Sequence, residues 1–443
     1  MTTPVYDFVK GYKKSGKSRF HMPGHKGKGR TCANDITEIN GADVLYHADG
    51  IIAESEANAT ELFDTGHTFY STEGSTLAIK GMLGIIRRDV GAGAKILAAR
   101  NVHKAFVYAI GELDLSVEWL YPEQGGHLCE CNITPDDVIR AIEGSDKKPS
   151  AVYITSPDYL GNILDVGGIA VACREYGIPL LVDNAHGAYL AFCEPSLHPI
   201  KLGAAMCADS AHKTLPVLTG GAYLHISKDH TKYIDMARDT LSIFASTSPS
   251  YLTLLSLDRC NGELSLGYKK ALLKCKQMVT EIKELLNTLG QQENTCEDIK
   301  IRIDAHRFGY TGVGYSDILR KYGIECEYAD DRYVVLMASP SNSARDFRRL
   351  RRAIVETAKK NAEPIPGSSD MPIVRPMVKM TVRDALFAPY ETLDVRECEG
   401  RICASPTVSC PPAIPVAVSG EVIDASVIAA LVHYGIDKIN VIK

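Results

Sequence analysis

Two groups in this chain have the types and spacing needed for carbonyl chemistry. Lys213 stands in the run Ala208, Asp209, Ser210, Ala211, His212, Lys213, Thr214, Leu215, among small and hydroxyl side chains. An apolar run from Gly203 to Cys207 precedes it and another, Gly220 to Ile226, follows, which predicts that Lys213 sits at a strand end or in a turn. A lysine in such a place can be desolvated, lose its proton and attack a carbonyl carbon. Thirty residues earlier, Pro179 to Asp183 reads as a buried strand that ends in a carboxylate and runs into Asn184, Ala185, His186 and Gly187. An acid at one strand end and a lysine at a later one suit pyridoxal phosphate, the acid keeping the ring nitrogen protonated and the lysine carrying the cofactor as a Schiff base.

A cofactor of that kind needs a phosphate cradle and a stacking partner. Tyr70 to Thr76 leads straight into a helical pattern, so Gly74, Ser75 and Thr76 can offer backbone N–H groups and hydroxyls at a helix N-terminus. Ser210 and His212 can add phosphate contacts. Arg100, Asn101, Val102, His103 and Lys104 follow a strand and start a helix, which lets the His103 imidazole stack on a ring while Ala185 offers a small surface to its other face. His186, beside Asp183, is a candidate for contacting a substrate carboxylate or handling a proton near neutral pH.

Strands alternating with helices must position these groups. From about Gly41 to Ile226 the pattern predicts helix over 75–90, strand over 94–99, helix after Asn101 and an extended 116–120. A helix then starts with Thr134 as N-cap and Pro135 in its first turn, followed by strand 150–155, helix 167–176 and strand 178–183. That order predicts an α/β fold with a mostly parallel sheet between helices. Ligands of such sheets bind at the carboxyl ends of the strands, where Asn101, Ser156, Asp183 and Lys213 all fall. Beyond it, 264–289 reads as one long connecting helix, 299–303 and 333–338 as strands, 315–322 as a helix, and 343–362 as an amphipathic helix capped by Ser343. This predicts a smaller α+β C-terminal region. The expected division is an N-terminal arm (1–40), a large cofactor-binding domain (41–262), a connecting helix with a small domain (263–365), and a C-terminal domain (366–443). Residues 362–372 read as a linker, and the chain ends in a helix and a strand.

Composition narrows the partners. At 443 residues the chain holds several domains, and 45% hydrophobic with 23% charged residues is ordinary for a globular protein. A net charge of −5 with no basic block excludes nucleic acid as an expected partner. The densest basic stretch, Arg345 to Arg352, alternates with apolar residues as a solvated helix face does. No apolar run reaches membrane-spanning length, no signal pattern opens the chain, and the thirteen cysteines follow no paired framework, so reduced thiols in the cytoplasm are expected. His21 and His25 are separated by Pro23 and Gly24, which break any helix that could pair them on a metal. Cys129 and Cys131 with His127 lack a second ligand pair, and no metal is expected.

Six segments in order resemble the ornithine/lysine/arginine decarboxylase family: Phe20 to Gly27, Glu73 to Thr76, Arg100 to Lys104, Asp183 to Gly187, Ser210 to Lys213, and Thr247 to Tyr251. The resemblance runs from about residue 5 to the C-terminus and is closest to the short members. It implies the aspartate aminotransferase fold and pyridoxal phosphate, with Lys213 as Schiff-base lysine and Asp183 as pyridinium partner. His103 would stack on the ring, and Gly74, Ser75, Thr76, Ser210 and His212 would hold the phosphate. It also implies a homodimer or higher homo-oligomer with active sites at the interface, Thr247 and Ser248 reaching a neighbour's cofactor. The implied reaction is decarboxylation of a basic L-amino acid to agmatine, cadaverine or putrescine, with Lys213 or His186 returning a proton and a carboxylate such as Glu327 receiving the cationic tail. Ala211 stands where the family has threonine. Ser405 replaces an acidic residue, and Cys410 to Pro415 departs from Tyr-Pro-Pro-Gly-Ile-Pro, which moves the substrate question there. The alternatives on this scaffold are transamination or elimination, which would need an arginine for a substrate carboxylate, and a binding homologue that has lost the chemistry.

Overall fold

The computed structural model describes all residues except 31, 124–126, 292–296, 361–362, 367–370, 372 and 408–411. Most of the predicted linker and the Cys410–Pro411 part of the proline-rich turn therefore lie outside the described residues. Seven strands occupy the first half: β1 (His67–Ser71), β2 (Lys95–Ala99), β3 (Ser116–Leu120), β4 (Ala151–Thr155), β5 (Leu180–Asp183), β6 (Met206–Asp209) and β7 (Ala222–Ile226). The chain forms two compact units. The first comprises Met1–Ala94, Pro149–Ser156 and Val166–Lys269, and the second Lys95–Lys148, Pro157–Asp165 and Lys270–Lys443.

In the first unit β4, β5 and β6 pair in parallel, β7 runs antiparallel to β6, and β1 runs antiparallel to β7. Only β7 is therefore reversed. Every residue of β5, β6 and β7 is buried, as strands covered on both faces must be. The helix Gly74–Val90 lies over β6 and β7 and against the helix Ile234–Phe244. That approach depends on Gly81 and Gly84, since a Cβ on them would come within 2.6 Å of Leu241 Cδ2 and 2.5 Å of Thr240 Cγ2. Asp43 starts the helix Ile51–Phe63, its carboxylate accepting from the N–H groups of Gly50 (2.9 Å) and Ile52 (3.0 Å). Within the expected N-terminal arm, Pro4–Lys14 forms a helix that buries Val5 and Val9.

The helix expected over 264–289 is Tyr268–Thr288, and residues 264–265 instead end a preceding helix, Tyr251–Ser265. Gly267, at φ +112°, breaks the run in a conformation that side-chain-bearing residues avoid. Apolar periodicity continues across the junction, so the break shows only in that glycine.

In the second unit β2 and β3 pair in parallel. Three further strands, β8 (Lys300–Asp304), β9 (Tyr328–Ala329) and β10 (Tyr333–Met337), form an antiparallel sheet with β10 central. β11 (Tyr390–Asp394) and β12 (Lys438–Ile442) form an antiparallel pair. The helix Ala344–Ala358 starts as expected at Ser343, whose N–H and hydroxyl both donate to Asp346 Oδ2 at 2.8 Å. Thr134 caps Pro135–Gly144 in the same way with Asp137. A C-terminal core that includes Val395, Cys403, Ile414, Val427, Leu431 and Val441 packs on Leu128, Cys129 and Leu160.

Candidate active site

Lys213 lies in a single helical turn, Ala211–Thr214, immediately beyond the end of β6. Ala211, at the family's threonine position, is fully buried, while Lys213 is half-buried and so is not the solvated lysine that a turn would usually carry. Its Nζ is 2.9 Å from His186 Nε2. Asp183 closes β5, and register puts it beside Ala208 of β6. Its carboxylate is buried, accepts from the Ala185 N–H at 3.1 Å and from the Tyr153 hydroxyl at 3.3 Å, and Ser156 N–H donates to its backbone carbonyl at 3.0 Å. Burial raises the Asp183 pKa, and the Lys213 charge pulls against that rise. A buried acid poised this way is ready for a cationic partner. Tyr153, on β4, was not foreseen; nothing in its local sequence marks it apart from a core tyrosine.

The loop from Asn184 to Gly187 is held by Asn184 N–H to Ala208 O (2.9 Å) and Gly187 N–H to Asn184 O (2.8 Å). A Cβ at Gly187 would land on Asn184 Oδ1, so glycine is required for His186 to turn toward Lys213.

Gly74, Ser75 and Thr76, the expected phosphate cradle, stand at the start of the helix Gly74–Val90. Gly74 has φ +71° and no atom within 4 Å of where its Cβ would be. Its N–H donates to Gly220 O at 2.7 Å, tying the cradle to the turn before β7. Ser210 Oγ donates to Ser75 Oγ at 2.8 Å, which brings together hydroxyls far apart in sequence. Thr76 is exposed. His212 holds Gly221 O with both its N–H (3.1 Å) and its Nδ1 (3.0 Å).

His103, in the second unit, caps the helix Lys104–Glu112, its Nδ1 accepting from Ala105 N–H at 3.1 Å. The next residue's N–H donates to Ala413 O at 2.9 Å. Thr247 and Ser248 are exposed between two helices of the first unit, with Ser248 N–H on Ser246 Oγ at 3.1 Å. Glu327 is exposed; it accepts from the Tyr159 hydroxyl at 2.7 Å and lines a cavity of about 420 Å³ with Glu325, Asn342 and Arg349. His127 pairs with Asp330 at 2.8 Å, beside buried Cys129 and Cys131.

The residues fit pyridoxal phosphate on their own chemistry. A buried acid, an amine facing an imidazole, and an open helix N-terminus with two convergent hydroxyls all lie in the first unit. Fold and site together define a pyridoxal phosphate enzyme of the aspartate aminotransferase fold. Residues 3–306 match the family model described as Orn/Lys/Arg decarboxylase, major domain. The chain is 30% identical to an arginine decarboxylase of Halalkalibacterium halodurans, over 96% of this chain and 92% of that protein. It is 29% identical to an arginine decarboxylase of Bacillus subtilis, over 95% and 91%. Among solved structures, a lysine decarboxylase of Francisella novicida superposes with a TM-score of 0.79 at 18% identity, over all of this chain and 81% of that one. This chain belongs to the ornithine/lysine/arginine decarboxylase family.

Proposed function

We propose that the chain removes the carboxyl group of a basic L-amino acid through the Lys213, His186 and Asp183 constellation. The observation that carries the reading is the 2.9 Å contact between Lys213 Nζ and His186 Nε2 at the end of β6, with the buried Asp183 at the end of β5. When bound, pyridoxal phosphate supplies an electron sink for the α-carbon of the substrate. Asp183 would hold the proton on its ring nitrogen. Ser75, Ser210, His212 and the N–H groups after Gly74 would bind its phosphate, with Thr76 at the rim, and Ala185 would face the ring. The α-carbon loses CO2 and gains one proton, and the Lys213–His186 pair is placed to deliver it.

Substrate choice lies in the tail. Two relatives aligned over more than nine-tenths of their length are named arginine decarboxylases, which supports L-arginine as the first candidate, with L-lysine and L-ornithine next. The products would be agmatine, cadaverine or putrescine, which would feed polyamine synthesis in the cytoplasm. The working unit would be a homodimer in which Thr247 and Ser248 reach the neighbour's site. The test is to incubate the cofactor-loaded protein with each of the three amino acids and quantify CO2 and amine. One amine should form in stoichiometric balance with CO2, and Lys213→Ala should abolish it while leaving the fold intact. A keto acid in place of CO2, or an active Lys213→Ala variant, would overturn the assignment.

A further inference from the structure

Behind the lysine, on β6 and its antiparallel neighbour β7, lies a buried polar cluster that the decarboxylation site does not use. Cys207 and Asp209 are two apart on β6 and so share a face of the sheet. Register pairs Cys207 with His225 on β7, which puts the imidazole on that face as well. His198, in the turn before β6, closes the group. All four residues are buried, and their donor atoms lie within 4.8 Å of one another. His198 Nε2 and His225 Nε2 are 3.0 and 3.2 Å from Asp209 Oδ2, and Cys207 Sγ is 3.8 Å from His198 Nε2. The edges of a tetrahedron with zinc–nitrogen and zinc–sulfur bonds of ~2.1 and ~2.3 Å are about 3.3–3.6 Å. These separations bracket that range.

We propose that His198, Cys207, Asp209 and His225 form a closed, tetrahedral zinc site that fixes β6, the strand that leads into the turn of Lys213. Two imidazoles, a thiolate and a carboxylate suit zinc among the common divalent ions. Four protein ligands leave no open position, which makes the role structural. Binding Zn2+ releases the Cys207 thiol proton, so the ion's two positive charges are matched by the thiolate and the carboxylate. Two of the ligands, His225 and Asp209, already have outer partners suited to this. His225 Nδ1 is 2.9 Å from Thr68 Oγ1, itself 2.8 Å from Thr65 Oγ1, so the imidazole can donate there while Nε2 binds metal. Asn184 Nδ2 donates to Asp209 Oδ1 at 2.7 Å, leaving Oδ2 for the ion. The Phe63 ring, 4.6 Å from His225 and 5.7 Å from His198, closes the site with apolar surface. Without an ion, the same atoms make a carboxylate with two imidazole donors, and the experiment separates the two.

The full-length, cofactor-loaded protein, purified without metal-affinity steps, is dialysed and its zinc measured by mass spectrometry. It is then stripped with a chelator and titrated with ZnCl2 while its Tm is followed. Zinc should be stoichiometric with chain, stripping should lower Tm, and ZnCl2 should restore it. Cys207→Ser and His225→Gln should lose stoichiometric zinc. Thr68→Val, which keeps all four ligands, should weaken zinc by ~10–100-fold. Co2+ loaded in its place should show a thiolate-to-metal absorption band that Cys207→Ser lacks. A wild-type chain that stays far below stoichiometric zinc in excess ZnCl2, with unchanged Tm, overturns the proposal. So does a Cys207→Ser variant that retains wild-type zinc. None of these readings depends on decarboxylation, so an inactive protein leaves the test intact.

Discussion

Arg100 and Glu421 form a buried ion pair in the second unit, and breaking it has a calculable cost. Their side chains are 2% and 1% exposed, and Arg100 Nη2 sits 3.0 Å from Glu421 Oε2. The guanidinium also donates to Val416 O at 3.1 Å, and Glu421 Oε2 accepts from Val418 N–H at 2.7 Å. Removing one charge from such a pair leaves the other uncompensated, which costs about 3–5 kcal/mol. Glu421→Gln keeps one carbonyl acceptor, and Arg100 keeps Val416, so the lower end, ~3 kcal/mol, is expected. Arg100 lies 5.0 Å over the ring of Trp119, the only tryptophan in the chain, so its fluorescence reports on this locus. With a urea m-value of about 3 kcal/mol/M, the unfolding midpoint read at Trp119 should fall by ~1 M. The double variant Arg100→Met/Glu421→Met removes both charges. It should be less destabilised than Glu421→Gln, because the cost lies in the unpaired charge and not in the loss of the pair. A midpoint shift below ~0.2 M for Glu421→Gln, or a double variant that is worse than either single one, would refute the reasoning.

Three further perturbations follow from the site and the core. Asp183→Asn should lower kcat by ~10³-fold, on the order of 4 kcal/mol of barrier, with the cofactor still bound but more weakly; near-normal turnover would contradict its role at the ring nitrogen. His186→Gln should lower kcat by ~10²–10⁴-fold with KM little changed, because it removes a proton-handling group and not a substrate anchor; a pure KM effect in steady-state kinetics would argue for the anchor. Burial raises the Asp158 pKa to about 6, against hydrogen bonds from Asn162 that lower it. The folded state therefore holds this proton more tightly than the unfolded state does. The resulting stability is full below the ordinary aspartate range and is lost as pH rises through about 6, a change on the order of 3 kcal/mol. Asp158→Asn should shrink the difference between urea midpoints at pH 4.5 and pH 7.5, and an unchanged difference would assign the pH dependence elsewhere.

Local signals carried much of the fold because they act over a few residues. Thr134 and Ser343 cap helices where their side chains and the acids three residues on predict it, and the buried runs before Asp183 and Lys213 became strands. The site itself was readable for a related reason. Strand ends in such a sheet converge, so residues placed just past β4, β5 and β6 meet without long-range information. What was hidden depends on register and on tertiary approach. Tyr153 reaches Asp183 only because β4 and β5 are neighbours, and Ser75 meets Ser210 only through the packing of a helix on β6. The cluster around Asp209 shows the limit most clearly. Its ligands are spread from residue 198 to 225 with no paired spacing, and Cys207 and His225 become one face only when β6 and β7 align antiparallel. A search for metal-ligand motifs therefore passes over it; the one pattern it meets, Cys129 and Cys131 near His127, lacks a second ligand pair, and His127 is committed to Asp330. In a doubly covered sheet, any polar side chain on a central strand must find partners across the pairing. The place to look for unforeseen sites in this chain is thus the register of the strands that carry the known one.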